Sequence, residues 1–152
     1  MTLTKGDKAP EFELADADGN THSLAGFKGK TIVLYFYPKD DTPGCTIEAC
    51  EFRDAEKDFS SKGAVIIGIS KDPAASHARF TKKYSLKFLL LSDPELTAIK
   101  EYGAWGKKKF MGRTYDGIHR TTFVISEQGK IEKIITEVNT KNHTEQLLQT
   151  TK

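Results

Sequence analysis

The sequence predicts an α/β fold, a mixed central β-sheet with helices on both faces, and three features carry that expectation. Segments 31–37 (TIVLYFY) and 64–69 (AVIIGI) are short, β-branched and almost continuously apolar, the pattern of strands buried on both faces of a parallel sheet. Between them Ala49, Phe52 and Phe59 recur at helical spacing, with Gly63 as a stop signal, so the unit reads strand, helix, strand. Toward the end, 122–125 and 131–135 flank the turn Glu127-Gln128-Gly129-Lys130, the signature of an antiparallel hairpin.

The remaining elements fall around this frame. Asp16, Asp18, Gly19 and Asn20 have the look of a calcium loop, but the glycine is misplaced for one, and a hairpin turn at Asp18-Gly19 accounts for them better. The crossover helix runs over 45–60. A second helix follows Asp72 and Pro73, an N-cap and first-turn pair, and carries His77, Phe80 and Tyr84 on one face. A strand at 88–91 and a closing helix at 143–149 complete the set. The thioredoxin-like fold is the smallest common architecture with parallel strands, helical crossovers, a trailing hairpin and a final helix. With 152 residues, the chain is expected to form one such domain over 1–152.

Composition narrows the function classes. The 23 Lys and Arg nearly balance 21 Asp and Glu, a net charge of +2, which argues against a strongly basic nucleic-acid binder or an acidic disordered tail. The longest apolar run, 32–37, is far short of the roughly 20 residues needed to cross a bilayer, and residues 1–20 lack the apolar core of a secretory leader. A cytoplasmic protein is expected, with no contact to membrane or nucleic acid. Gly29-Lys30-Thr31 resembles the end of a phosphate loop, but Leu24 stands where that loop needs glycine and a strand follows. The four histidines (His22, His77, His119, His143) show no metal-site spacing, so surface or half-buried positions and no metal or cofactor are expected. Asn142-His143-Thr144 matches a glycosylation acceptor, without consequence inside a cell. Lys107, Lys108 and Lys109, near Trp105, Phe110 and Arg113, read as a solvated loop rather than a contact surface.

The two cysteines, Cys45 and Cys50, are another matter. In a reducing compartment a permanent disulfide closing so short a loop contributes little, which points to chemistry. Pro38-Lys-Asp-Asp-Thr-Pro-Gly-Cys45 places a cysteine just past the C-terminal end of a central strand, in the first turn of a helix, where open α/β sheets bind ligands. The helix N-terminus favours a thiolate, but by at most ~2 kcal/mol. A cation is needed as well, and Arg120, at the start of a strand antiparallel to the central ones, would lie at the same sheet edge. Cys45, Phe52 and Phe59 share an inward face, whereas Cys50 falls roughly 160° from Phe52, on the outward face. An exposed free thiol is a liability unless it is used.

Pro38, Thr42 and Cys45 match the Pro-x-x-x-Thr-x-x-Cys signature of peroxiredoxins, and Cys50 stands where the Q-type subfamily, also called bacterioferritin comigratory protein, has its resolving cysteine. Segments 6–12, 30–54, 102–105 and 117–125 resemble family segments in the same order. The resemblance implies a thiol peroxidase for hydrogen peroxide and organic hydroperoxides, without metal, haem or flavin, recycled by thioredoxin or a similar dithiol. Cys45 is then the peroxidatic nucleophile and Cys50 the resolving thiol. Thr42 bonds peroxide and thiolate, Arg120 steadies both, Pro38 shields the pocket, and Glu48 orients the arginine. A monomer is implied, with a weak dimer as the alternative. An intact helix holds Cα atoms five residues apart at roughly 8.6 Å, whereas a disulfide tolerates about 4.4 to 6.8 Å, so a Cys45–Cys50 bond requires the first turns to unwind. Two other readings stay open: a general thiol-disulfide oxidoreductase, which normally uses Cys-x-x-Cys, and a non-catalytic module binding through 107–113. Rapid loss of both thiols on one equivalent of peroxide supports the peroxidase, and slow loss of either thiol favours the module.

Overall fold

The structure, a computed structural model, describes residues 3–136; the helix expected at 143–149 lies outside the described residues. In chain order the elements are β1 (Glu13–Asp16), β2 (Thr21–Ser23), a 3-10 turn (Leu24–Phe27), β3 (Thr31–Phe36), α1 (Pro43–Ser61), β4 (Ala64–Ser70), α2 (Ala74–Tyr84), β5 (Leu89–Ser92), α3 (Thr97–Glu101), β6 (Trp105–Phe110), β7 (Arg113–Ile118), β8 (Thr121–Ile125) and β9 (Ile131–Ile135). Seven strands form one mixed sheet in the order β2-β1-β5-β4-β3-β8-β9, and β6 with β7 forms a separate ribbon. The parallel centre is β3, β4 and β5, and β8 runs antiparallel to β3 from Ile32↔Ile125 to Phe36↔Thr121. That register sets the start of β8 beside the end of β3, as the position of Arg120 requires.

Alternation along β3 divides the core into two layers. Val33, Tyr35 and Tyr37 face α1 and α2, packing with Cys45, Ala49, Phe52, Phe59 and Phe80. Ile32, Leu34 and Phe36 face the other way, with Ala98 and Ile99 of α3, Tyr102 and Phe123. Helices therefore cover both faces, as the pattern predicts. Gly68 in β4 is dictated by this packing: a Cβ there would come within 2.8 Å of the Tyr35 ring, which stacks on Phe52 at 4.6 Å.

The turn at Asp18-Gly19 forms, with Asp16 Oδ1 accepting from the Asp18 and Asn20 N–H groups. Four expectations need correction. The crossover helix starts at Pro43, two residues before Cys45, because proline suits the first helical turn. Pro73, not Asp72, is the N-cap of α2, since the Asp72 carboxylate is taken by the Asp40 N–H and the Ser70 hydroxyl. His77 is not a surface histidine but fully buried. Lys107, Lys108 and Lys109 lie on β6, paired across to Asp116, Tyr115 and Thr114 of β7, rather than in a loop; three consecutive charges hid the strand.

Candidate active site

The site is assembled where the C-terminal end of β3 delivers the chain into α1. After Tyr37 the loop passes Pro38, half-buried, and Asp41, which adopts φ 58°. Asp41 is held there by Lys83 and Tyr84 of α2, whose Nζ and hydroxyl donate to its carboxylate at 2.8 Å each. Thr42 is the N-cap of α1, extended at φ −96°, ψ 156°, without a side-chain capping bond. Its hydroxyl instead donates to Lys39 O at 2.8 Å. Three positions into the helix, Cys45 is 2% exposed and a free thiol, within the turn whose N–H groups lack intrahelical partners.

Arg120 enters from the residue before β8. Its Nη2 donates to Cys45 Sγ at 3.2 Å and its Nη1 to Glu48 Oε1 at 2.6 Å. One planar fork thus joins the sulfur to a carboxylate one helical turn further along α1. Glu48 is wholly buried while Arg120 keeps a fifth of its side chain in solvent. Burial pushes the Glu48 carboxyl up to about 7, against the opposing pull of Arg120. Burial likewise works against the charge on Arg120, but Glu48 and Cys45 outweigh it and hold its pKa above the usual guanidinium range. The thiol therefore sits beside a cation that cannot discharge. Gly44 leaves room for the guanidinium, since a Cβ there would lie a tight 3.2 Å from Arg120 Nη2.

All six residues singled out in the sequence, Pro38, Thr42, Cys45, Glu48, Cys50 and Arg120, fall on this loop, on α1 or at the start of β8. Cys50 differs in one respect. It is free but half-buried rather than exposed, and Arg53, in electrostatic contact with it, reaches over to Tyr84 O at 2.7 Å. α1 runs without a break through both cysteines, the reduced arrangement that its spacing demands.

Other contributors escaped the sequence reading. Beneath the loop, Asp40 accepts from Tyr37 at Oδ1 and from Ser76 at Oδ2, and His77 Nδ1 lies 2.7 Å from the same Oδ2. His77 Nε2 donates to Leu91 O, since a carbonyl can only accept. Lys108 turns inward from β6 to donate to Ile118 O at 2.9 Å, two residues from Arg120. Burial, then repulsion from Arg120, pushes its ammonium below the usual lysine range. Ser76 and His77 lie 36 and 37 residues from Asp40, and Lys108 lies 10 from Ile118, so only the hydroxyls and the charges could have hinted at these contacts.

Comparisons with known proteins agree with this geometry. The family model described as AhpC/TSA matches residues 5–134. Peroxiredoxin Bcp of Bacillus subtilis (strain 168) is 47% identical over 152 residues, covering 100% of this chain and 97% of that protein. Peroxiredoxin Bcp of Escherichia coli (strain K12) is 45% identical over 141 residues, 93% of this chain and 90% of that protein. The crystal structure of peroxidoxin BcpB from Mycobacterium tuberculosis superposes with a TM-score of 0.86 at 36% identity, covering 97% of this chain and 96% of that one. A bacterioferritin comigratory protein from Xanthomonas campestris, studied for alkyl peroxide reduction, gives a TM-score of 0.87 at 32% identity, covering 91% and 88%. With the thioredoxin-like architecture, the paired thiols and the guanidinium in place, the chain belongs to the AhpC/TSA family and, within it, to the Bcp or Q-type peroxiredoxins, which are thiol peroxidases.

Proposed function

We propose that Cys45 is the peroxidatic nucleophile of this peroxidase and Cys50 its resolving thiol, and that hydrogen peroxide and organic hydroperoxides are its substrates. The observation that carries the reading is the Arg120 fork, which places one N–H on Cys45 Sγ and the other on Glu48. The Cys45 thiolate attacks the terminal oxygen of the hydroperoxide, the O–O bond breaks, and the leaving hydroxide or alkoxide takes a proton. Charge moving from sulfur to that oxygen remains within reach of the guanidinium, which is the useful place for a fixed cation. Thr42 positions the hydroperoxide, Pro38 limits water, and Glu48 keeps the guanidinium plane in register with the sulfur.

The product is a Cys45 sulfenic acid. The Cys50 thiol attacks its sulfur, water leaves, and an intramolecular disulfide forms after residues 45–51 unwind. A dithiol, thioredoxin or one like it, then reduces the bond by thiol exchange. The reading extends to a cytoplasmic protein acting as a monomer. The described residues include no helix long and apolar enough to cross a membrane, and their exposed large apolar side chains are Ile47, Met111 and Tyr115, too few for an extensive interface. Thiol titration of the reduced protein with one equivalent of hydrogen peroxide tests the chemistry: both thiols should disappear together and return with thioredoxin, thioredoxin reductase and NADPH. Thiols that persist would overturn the assignment.

A further inference from the structure

The peptide group behind Thr42 is clamped on both sides. Its carbonyl, Lys39 O, receives the Thr42 hydroxyl at 2.8 Å. Its N–H, on Asp40, donates to Asp72 Oδ2 at 2.8 Å. Asp72 is in turn fixed, since the same Oδ2 accepts from the Ser70 hydroxyl at 2.9 Å and Ser70 Oγ accepts from the Asp72 N–H at 3.1 Å. The Asp40 side chain adds the buried bonds to Tyr37, Ser76 and His77, so the Lys39–Asp40 peptide is hydrogen-bonded at both ends and its Asp40 side is anchored. An anionic acceptor on an amide N–H polarises the amide and makes its carbonyl the stronger acceptor. The Thr42 proton is thereby committed backward to Lys39 O. Its oxygen is left to accept, and what a hydroperoxide offers is an O–H donor.

We propose that Asp72 is a positioning residue for peroxide reduction: acting through the Lys39–Asp40 peptide, it fixes the Thr42 hydroxyl as the acceptor for the substrate O–H. The inference rests on the assignment of Thr42 to the substrate pocket. It gives Asp72 a task just past the C-terminal end of β4, and it explains why Asp72 does not cap α2.

A double-mutant cycle on the full chain tests it, with the second-order rate of Cys45 oxidation by hydrogen peroxide as readout. Thr42→Val should lose about a hundredfold, the scale for one lost positioning bond in an active site. Asp72→Ala should lose about tenfold in the parent but no more than about twofold in the Thr42→Val background, because the group it positions is gone. Asp72→Asn, which keeps the accepting oxygen without the charge, should restore the rate to within about threefold of the parent. If Asp72→Ala does not fold, Asp72→Asn carries the same cycle, with its smaller loss vanishing in the Thr42→Val background. A loss at position 72 that is equally large in both backgrounds would overturn the inference while leaving Thr42 in place. A parental rate in Thr42→Val would instead remove the Thr42 assignment, and the inference with it.

Discussion

The two halves of α1 are held by different forces. From Phe52 onward the buried face is Phe52, Ala55 and Phe59, with the Phe52 ring 4.6 Å from Tyr35 and about as far from Phe88 and Phe59, at 6.1 and 6.2 Å, as edge and tilted contacts require. That attachment is apolar area, indifferent to redox state. Before Phe52 the helix is anchored through Cys45 and Glu48, both of them bound to Arg120, and by a loop whose Asp40 and Asp41 are tied to α2. On the proposed chemistry the anchor at Cys45 is the reacting atom itself, and a sulfur engaged in a disulfide no longer accepts from the guanidinium as a thiolate does. One helix would then carry a half that chemistry releases and a half that it cannot.

The largest effects belong to the releasable half. Cys45→Ser should abolish peroxide reduction outright, whereas Cys50→Ser should consume one equivalent of peroxide to give the Cys45 sulfenic acid, fail to turn over with thioredoxin, and pass to the sulfinic acid with a second equivalent, as nothing intercepts the sulfenic acid. Mass spectrometry after a single equivalent separates the two. Arg120→Met should slow the peroxide step by at least ~10²-fold, and Arg120→Lys should recover part of it, because a point charge cannot bond sulfur and Glu48 with one rigid plane. A parental rate in Arg120→Met, followed by stopped flow, would remove the guanidinium from the chemistry.

The comparison predicts where protection is lost on oxidation. Amide hydrogen exchange should rise over residues 46–51 in the disulfide form and stay unchanged from Phe52 to Phe59. Equal protection of 46–51 in both redox states, with the disulfide confirmed by mass, would show that the helix need not open. Phe52→Ala should invert the pattern: a stability loss of ~3–5 kcal/mol in chemical denaturation, with the peroxide step of the folded fraction left near the parental rate.

The sequence displays the lasting half more fully than the other. Buried strands 31–37 and 64–69 and the Phe52–Phe59 period are legible because one residue type repeats along one element and burial has a fixed period. The proposed nucleophile stands out in the sequence too, since a cysteine after Pro43-Gly44 at a strand-to-helix junction has few other uses. What lies around it does not. Glu48 is singled out by the family resemblance alone, since no period along α1 points to Arg120, 72 residues away. Asp72 reads as a helix cap until the Asp40 N–H claims it. Lys108 reads as one of three solvated lysines, although its neighbours Lys107 and Lys109 point outward and it does not. Each of these polar contacts joins two elements, and periodicity along one element holds no information about its partner on another.

The smallest effect concerns Glu48, where the two halves can be told apart by pH alone. Its ordinary value is 4.5 and burial raises it to about 7 in the folded chain, so the folded state binds this proton more tightly than the unfolded state does. A raised value means a contribution that is fully present below about 4.5 and is lost as pH rises through about 7. Glu48→Gln carries no such titration. Denaturant midpoints of the reduced parent and Glu48→Gln, compared between pH 4.5 and 8, should show the parent losing stability relative to the variant as pH rises. The opposite trend would mean that attraction to Arg120 outweighs burial and that Glu48 is ionised throughout. Phe52→Ala, measured over the same range, should show a penalty that does not change with pH, because the contacts it removes carry no charge.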